Sequence, residues 1–433
     1  MVKKHRFLFF IFFLARAGFS QDILTPEEAV NKTLENNFGI KIARQNISIA
    51  TNNATKTAVG YNPTVNATAG ASANVGSSTQ KFGNGNENVV NNAVSFAGNA
   101  NLSGSYTFYD EARATTLEQL KEVLNLSNLQ LRQTIESNVL QLISRYYEVA
   151  RLTASVDVLE QTLQVSNRRL ERVQYQYEYG QGLRLDILNA EVDVQRDSIN
   201  LINNQQLLDN SKRDLNVIMG VPIENPIDVD TSVIYQGISL ENLRAGMSEQ
   251  NVDLLLLEKN VDINRYDLKI IEAERKPRIS ATGSYSYNQQ KNPPGAFITS
   301  SNNRGLNLGV NLSWSLVDGG LRKLREQNTE INLQTLQLQE EQLLQELDRD
   351  LINTWENYQN ALYVLEAERK NLSTSELNFQ RTEEQFNLGQ STSVEFRQAQ
   401  LNLLNAATNY NNAKYDAKVI EVSLLQLAGD LLQ

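Results

Sequence analysis

The stretch Tyr177-Glu178-Tyr179-Gly180-Gln181-Gly182-Leu183-Arg184-Leu185-Asp186-Ile187 returns, altered, as Gln385-Phe386-Asn387-Leu388-Gly389-Gln390-Ser391-Thr392-Ser393-Val394-Glu395-Phe396. Gly180 and Gly389 lie 209 residues apart, and the same offset links Asp186 to Glu395, Ala190 to Ala399 and Gly220 to Gly429. Each copy is a short polar break between two long runs of helical character. Glycine just past a helix suits the left-handed terminal residue, and an acid early in the next run suits the positive end of a helix. Read alone, the pair is a helix-hairpin turn that occurs twice because the chain is duplicated.

Upstream of the first turn, residues 111–179 contain neither Pro nor Gly, and Asp110 stands where it can cap them. At the helical rise these 69 residues span roughly 100 Å. A coiled coil or helical barrel is the default for such a length. The stripe includes Ile135, Val139, Leu142, Tyr146 and Val149, spaced by fours and threes. After the turn a helix over 186–219 carries Ile187, Val194, Leu201, Leu208 and Leu215 every seven residues, until Gly220-Val221-Pro222 stops it. Beyond Gly389 the series recurs as Phe396, Leu403, Tyr410, Ala417 and Leu424 in a helix over 395–428. The helix before that second turn covers 319–388, opened by Asp318-Gly319-Gly320.

Each long helix is preceded by a segment whose period is two. Val65, Ala67, Ala69, Ala71, Ala73 and Val75 alternate with small polar residues, and so do Phe96, Gly98, Ala100, Leu102, Gly104, Tyr106 and Phe108. The spacing predicts a hairpin over 64–108 with strands of about eleven residues and a polar loop over 76–95. A second hairpin over 278–316 carries Ile279, Ala281, Gly283, Tyr285 and Tyr287, then Leu306, Leu308, Val310, Leu312, Trp314 and Leu316. Length and alternation suit strands that cross a bilayer with lipid on one face and water on the other. A half-buried hairpin of a soluble sheet alternates in the same way. Helices are expected over 26–59, where Thr25-Pro26-Glu27-Glu28 forms a capping box, and over 240–275.

The organisation is then a signal peptide over 1–20, a first repeat over 21–230 and a second over 231–433. Lys3, Lys4 and Arg6 precede the apolar run Phe7 to Leu14, too short to span a bilayer, with Ala15-Arg16-Ala17 or Ser20/Gln21 as cleavage sites. Net charge is −10 at pH 7, and removal of the leader takes it to about −14, so nucleic acid is not an expected partner. There is no Cys, and the single His is His5 in the leader. Cys–His and Ser–His nucleophile pairs and His/Cys metal sites are excluded from the mature chain, carboxylate pairs remain formally open, and no cofactor is expected.

The two short helices of the first repeat sum to roughly the length of its long one. They can stack end to end along it, with the hairpin at one end of the column and the glycine turn at the other. Two hairpins supply four strands, too few to close a barrel, and an open edge in lipid leaves backbone groups unsatisfied. Three chains supply twelve strands, within the range of outer-membrane barrels, whereas two would leave little lumen. Tyr61, Tyr106, Phe108 and Trp314 at the helix-side strand ends, and Phe96, Tyr285 and Tyr287 near the loop side, suit two interfacial girdles.

The duplicated order, the junction Leu316-Val317-Asp318-Gly319-Gly320, and the Gly-x5-Asp/Glu turn with Ala four residues later resemble TolC-type outer membrane efflux proteins across residues 22–433. The resemblance implies an α+β membrane protein: a homotrimer with a twelve-stranded β-barrel in outer-membrane lipid, continued by a long α-helical barrel through the periplasm. It implies an exit duct of an efflux pump or type I secretion system, docked to a periplasmic adaptor protein and an inner-membrane transporter. By the same resemblance, Gly180, Gln181, Gly182 and Leu183, with Gly389, Gln390, Ser391 and Thr392, form the periplasmic tip that meets the adaptor. Asp186 and Glu395 stand at the positions of a tip gate or lumenal acidic ring. A second acid that some relatives carry is replaced here by Gln398. An arginine and a tyrosine expected as gate partners are replaced by Ser391 and Phe386. A coiled-coil stalk or adhesin is the alternative. It accounts for the helices but not for paired strands in both halves.

Overall fold

The computed structural model describes residues 23–294, 296 and 298–432. The expected signal segment lies outside the described residues. In chain order the elements are β1 (Ile23–Leu24), α1 (Pro26–Asn36), α2 (Phe38–Asn53), β2 (Thr64–Lys81), β3 (Glu87–Tyr109), α3 (Glu111–Glu178) and α4 (Arg184–Met219). There follow β4 (Asp228–Val229), α5 (Leu240–Gln250), α6 (Val252–Ala273), β5 (Arg278–Lys291), β6 (Ser300–Ser313), α7 (Leu321–Asn387) and α8 (Ser393–Ala428). The order of two short helices, hairpin, long helix and shorter helix recurs. The chain divides into two compact units.

The helix expected over 26–59 is two helices and ends early. Asn37 leaves the helical region at ψ 130, and its Oδ1 accepts from the N–H of Ile40 at 3.1 Å, capping α2. The helix expected over 240–275 breaks in the same way. Asn251 has ψ 123 and its Oδ1 accepts from Asp253 and Leu254 N–H. In each half, an 11-residue helix stops at an asparagine whose side chain starts the next one. Asparagine competes for backbone donors and favours caps over helix interiors.

The first unit comprises residues up to 41, 135–243 and 351–433. Its main core packs Leu142, Tyr146 and Val149 of α3 against Leu215 and Met219 of α4 and Tyr415 and Val422 of α8. Tyr146, fully buried, donates to the carbonyl of Leu24 at 2.6 Å and accepts from Asp230 N–H at 3.0 Å, which ties down the parallel pair β1–β4. Glu421 is also fully buried. It accepts from Tyr358 Oη at 3.1 Å and Gln236 N–H at 3.3 Å, and pairs with Lys418 at 2.5 Å.

The second unit, residues 42–134 and 244–350, holds an antiparallel sheet in the order β2-β3-β5-β6. Register puts Val65, Gly104, Gly283 and Leu308 in one row, and Ala67, Leu102, Tyr285 and Leu306 in the next row of the same face. Asn66, Ser103, Ser284 and Asn307 form the intervening row on the opposite face. The apolar face is open: Leu306, Leu308, Val310 and Leu312 are 63–79% exposed. Among the described residues, β2 and β6 are the sheet's two edges, each paired on one side only.

The polar loop expected over 76–95 is largely strand. β2 runs to Lys81 and β3 begins at Glu87, with a bulge near Ser77 where Asn92 takes φ 47. Only residues 82–86 turn, helped by Gly85 at φ 86. Cross-strand backbone bonds carry this extension, and they leave no apolar alternation to read. β6 stops at Ser313, short of the expected 316, and Trp314 beyond it donates its indole N–H to the carbonyl of Arg275 at 2.9 Å. α7 starts at Leu321, after Gly319 and Gly320 take φ 67 and 88. Asp318 accepts from the N–H groups of Gly320 and Arg322.

Candidate functional site: the paired glycine turns

Both turns have one backbone geometry. At Gly180 φ is 70; its N–H donates to Tyr177 O at 3.0 Å, and Gln181 N–H reaches back to Gln176 O at 2.8 Å. At Gly389 φ is 73, with Gly389 N–H to Phe386 O at 3.1 Å and Gln390 N–H to Gln385 O at 2.8 Å. These paired returns satisfy the last carbonyls of α3 and α7 and require a left-handed residue, which only glycine adopts without strain. The following helices start differently. Leu183 precedes α4 with no side-chain cap, and α4 begins at Arg184, two residues before the expected Asp186. Thr392 caps α8 with a complete capping box.

Glu395 is exposed and belongs to that box. Its Oε2 accepts from Thr392 N–H at 2.8 Å, Thr392 Oγ1 at 2.9 Å and Ser391 Oγ at 3.1 Å. Those bonds, the Thr392 N–H first, hold the carboxyl below the ordinary glutamate value. Asp186 is half-buried in the first turn of α4, where its charge suits the helix dipole. Gln181, Leu183, Gly389, Gln390 and Thr392 are exposed, while Gly182 and Ser391 are half-buried. The two acids head different helices.

Phe386 is buried against Phe396 at 4.7 Å between ring centroids, and Phe379 meets Phe396 at 5.5 Å. Val173, Ile187, Ala190 and Ala399 complete this cluster. Arg172 lies over the Phe386 ring at 5.3 Å and donates to the carbonyl of Asn387 at 2.6 Å. A tyrosine hydroxyl at position 386 would need a partner in that apolar surround.

Sequence reading missed the polar network behind the aromatics. Arg397 of α8 forms a two-pronged ion pair with Asp197 of α4, both bonds 2.7 Å, with side chains 7% and 2% exposed. Ser166 of α3 donates to Asp197 at 2.6 Å, and Gln400 accepts from Arg397 at 2.8 Å while donating to Thr162 O at 2.9 Å. Arg169, also buried, pairs with Asp193 at 2.7 Å and bonds Ser393 Oγ at 2.9 Å. The available signal was Arg397 and Gln400 flanking Phe396 and Ala399, so that charge and amide share the apolar stripe.

Residues 29–221 and 246–430 match the outer membrane efflux protein family. The chain belongs to that family. It is 21% identical over 335 residues to the outer membrane protein TolC of Vibrio cholerae, covering 77% of this chain and 76% of that protein. Among solved structures, the outer-membrane channel OprN superposes with a TM-score of 0.71 at 18% identity over 94% of this chain and 90% of that one. The Campylobacter jejuni CmeC outer membrane channel gives 0.73 at 14% identity over 94% and 86%. These solved structures share the fold. As an outer membrane efflux protein, the chain works in the outer membrane as an exit channel of an efflux system. No helix among the described residues is long and apolar enough to cross a membrane.

Proposed function

We propose that three copies of this duplicated chain close their sheets into a twelve-stranded barrel in outer-membrane lipid, continued by a helical barrel in the periplasm. A periplasmic adaptor protein would dock at Gly180–Leu183 and Gly389–Thr392 and couple the duct to an inner-membrane transporter. Asp186 and Glu395 from three chains would set an acidic ring at that end. The duct needs no cofactor and catalyses no reaction.

The observation that carries this reading is the four-stranded sheet with two edges free to pair, one open apolar face and one polar face. Such a sheet is satisfied when its edges meet those of other copies and its apolar face meets lipid. Outer-membrane fractionation with semi-native electrophoresis tests it. An SDS-resistant trimer in the outer membrane is expected, and a soluble elongated dimer would refute the barrel. Gly180→Pro with Gly389→Pro should impair export and leave the trimer assembled; normal export would remove the docking role from the turns.

A further inference from the structure

The polar face of the sheet carries no charge over six successive rows, from Thr107, Ser280 and Asn311 up to Ser72, Ala97, Gln290 and Ser301. Every residue in those rows is Asn, Ser, Thr, Gln, Gly or Ala. Same-face rows are about 7 Å apart along a strand, so the neutral stretch follows the strands for roughly 34 Å. The next row on that face, at the helix end, holds Arg278 opposite Ser313. Its Nη2 donates to Thr107 Oγ1 at 3.3 Å, and its side chain is 50% exposed.

Among the described residues, Arg278 has no carboxylate of its own. Its Nε lies 3.6 Å from Asp110 Oδ2, and that oxygen already pairs with Arg113 Nε at 3.2 Å. Asp110 also accepts from Arg113 N–H, and Arg113 donates to the carbonyl of Gly60. Four neighbouring cations are each matched with an acid: Lys276 with Glu111, Arg275 with Glu326, Arg322 with Asp318 and Arg325 with Glu274. At the base of the neutral face two guanidiniums therefore share one carboxylate. A surplus positive charge remains on a chain whose net charge is −10.

We infer that Arg278 forms a cationic collar at the inner mouth of the barrel and is the residue that biases passage through the strand section toward anions. The inference rests on the barrel reading above. In a closed trimer three such groups would ring the conduit, while the neutral rows above them discriminate by size. A ring of like charges selects for the opposite sign. The solute class favoured is the small inorganic or organic anion.

For three unit charges on the order of 10 Å from the axis, water-like dielectric and one Debye length of screening change the chloride-to-potassium permeability ratio about three- to fivefold. The test is reversal potential under a KCl gradient near 0.1 M, using purified full-length protein in planar bilayers. Arg278→Gln should lower that ratio by this factor, Arg278→Glu should lower it further, and Arg278→Lys should keep it near wild type. Ser284→Glu adds an acid three rows up, away from the Arg278 contacts, and should shift the ratio in the same direction as Arg278→Glu. A wild-type ratio in Arg278→Gln and Arg278→Glu channels of normal conductance would overturn the collar and leave the duct intact. Absence of both a trimer and unitary conductance in the wild-type protein would overturn the duct reading and the collar with it.

Discussion

Arg397→Ala should be among the most damaging single substitutions in the first unit. It removes two 2.7 Å bonds to Asp197 and leaves that carboxylate, 2% exposed, with Ser166 Oγ as its remaining close donor. Breaking a buried pair by deleting one partner costs about 3–5 kcal/mol, because the other charge stays desolvated. Every 1.4 kcal/mol is about tenfold in an equilibrium, so local opening should rise on the order of 10² to 10⁴-fold. Hydrogen exchange of amides near Ser166, Asp197 and Gln400 reads this in the detergent-solubilised protein. The double variant Arg397→Met with Asp197→Leu should recover most of the loss, since a well-packed apolar pair replaces a buried ion pair at little cost. Exchange in Arg397→Ala within threefold of wild type would refute the reasoning. The pair would then be worth no more than a surface salt bridge.

Three further outcomes follow from individual contacts. Leu308→Arg, on the apolar face, should destabilise the membrane-inserted protein by about 2–4 kcal/mol in reversible unfolding from vesicles, whereas Asn307→Arg, one residue away on the polar face, should cost little; equal costs would deny that the faces meet different media. Gly220→Ala should lower thermal stability more than Gly180→Ala. Both take positive φ, but a Cβ at 220 meets the Asn36 carbonyl, with its carbon at 2.6 Å, and one at 180 meets nothing within 4 Å; the expected costs are about 2 kcal/mol or more and about 1 kcal/mol. Because Glu395 is held below its ordinary 4.5, its contribution to the α8 cap is complete above that pH and is lost as pH falls through the folded value. Intrinsic-rate-corrected exchange of amides 392–396 should therefore quicken on acidification, and Glu395→Gln should abolish that pH dependence.

The long helices and the glycine turns are legible because their signals are local: an unbroken run without Pro or Gly, then glycine where a left-handed residue is needed. The strands are legible only where one face is apolar. From Ser78 to Lys81 and from Glu87 to Asn92, polar residues occupy both faces, and pairing shows only in the register. The helix breaks at Asn37 and Asn251 were missed because one asparagine among many helix formers is a weak signal. Their caps depend on side-chain geometry that spacing does not encode. The Arg397 network was the least legible part of the site. Its partners lie 31, 200 and 231 residues apart in sequence, and a charge on a helix is more often solvated than buried.

The departures at the second turn acquire a physical meaning once these contacts are placed. Ser391 and Glu395, together with Thr392, close a local cap in which every bond stays within the turn and the first turn of α8. Phe386 faces the aromatic cluster, and its neighbour Arg172 covers it from α3. Neither side chain hydrogen-bonds to a distant helix. The long-range ties between the two halves of the sequence run deeper, through Arg397 to Asp197 and Arg169 to Ser393. The two turns thus differ in how they are held. The first relies on backbone returns alone before an uncapped α4, and the second adds a carboxylate box. A carboxylate cap on one turn and none on the other means that acidification removes hydrogen bonds from the start of α8 that the start of α4 never had. The pair is equivalent in backbone geometry and unequal in chemistry.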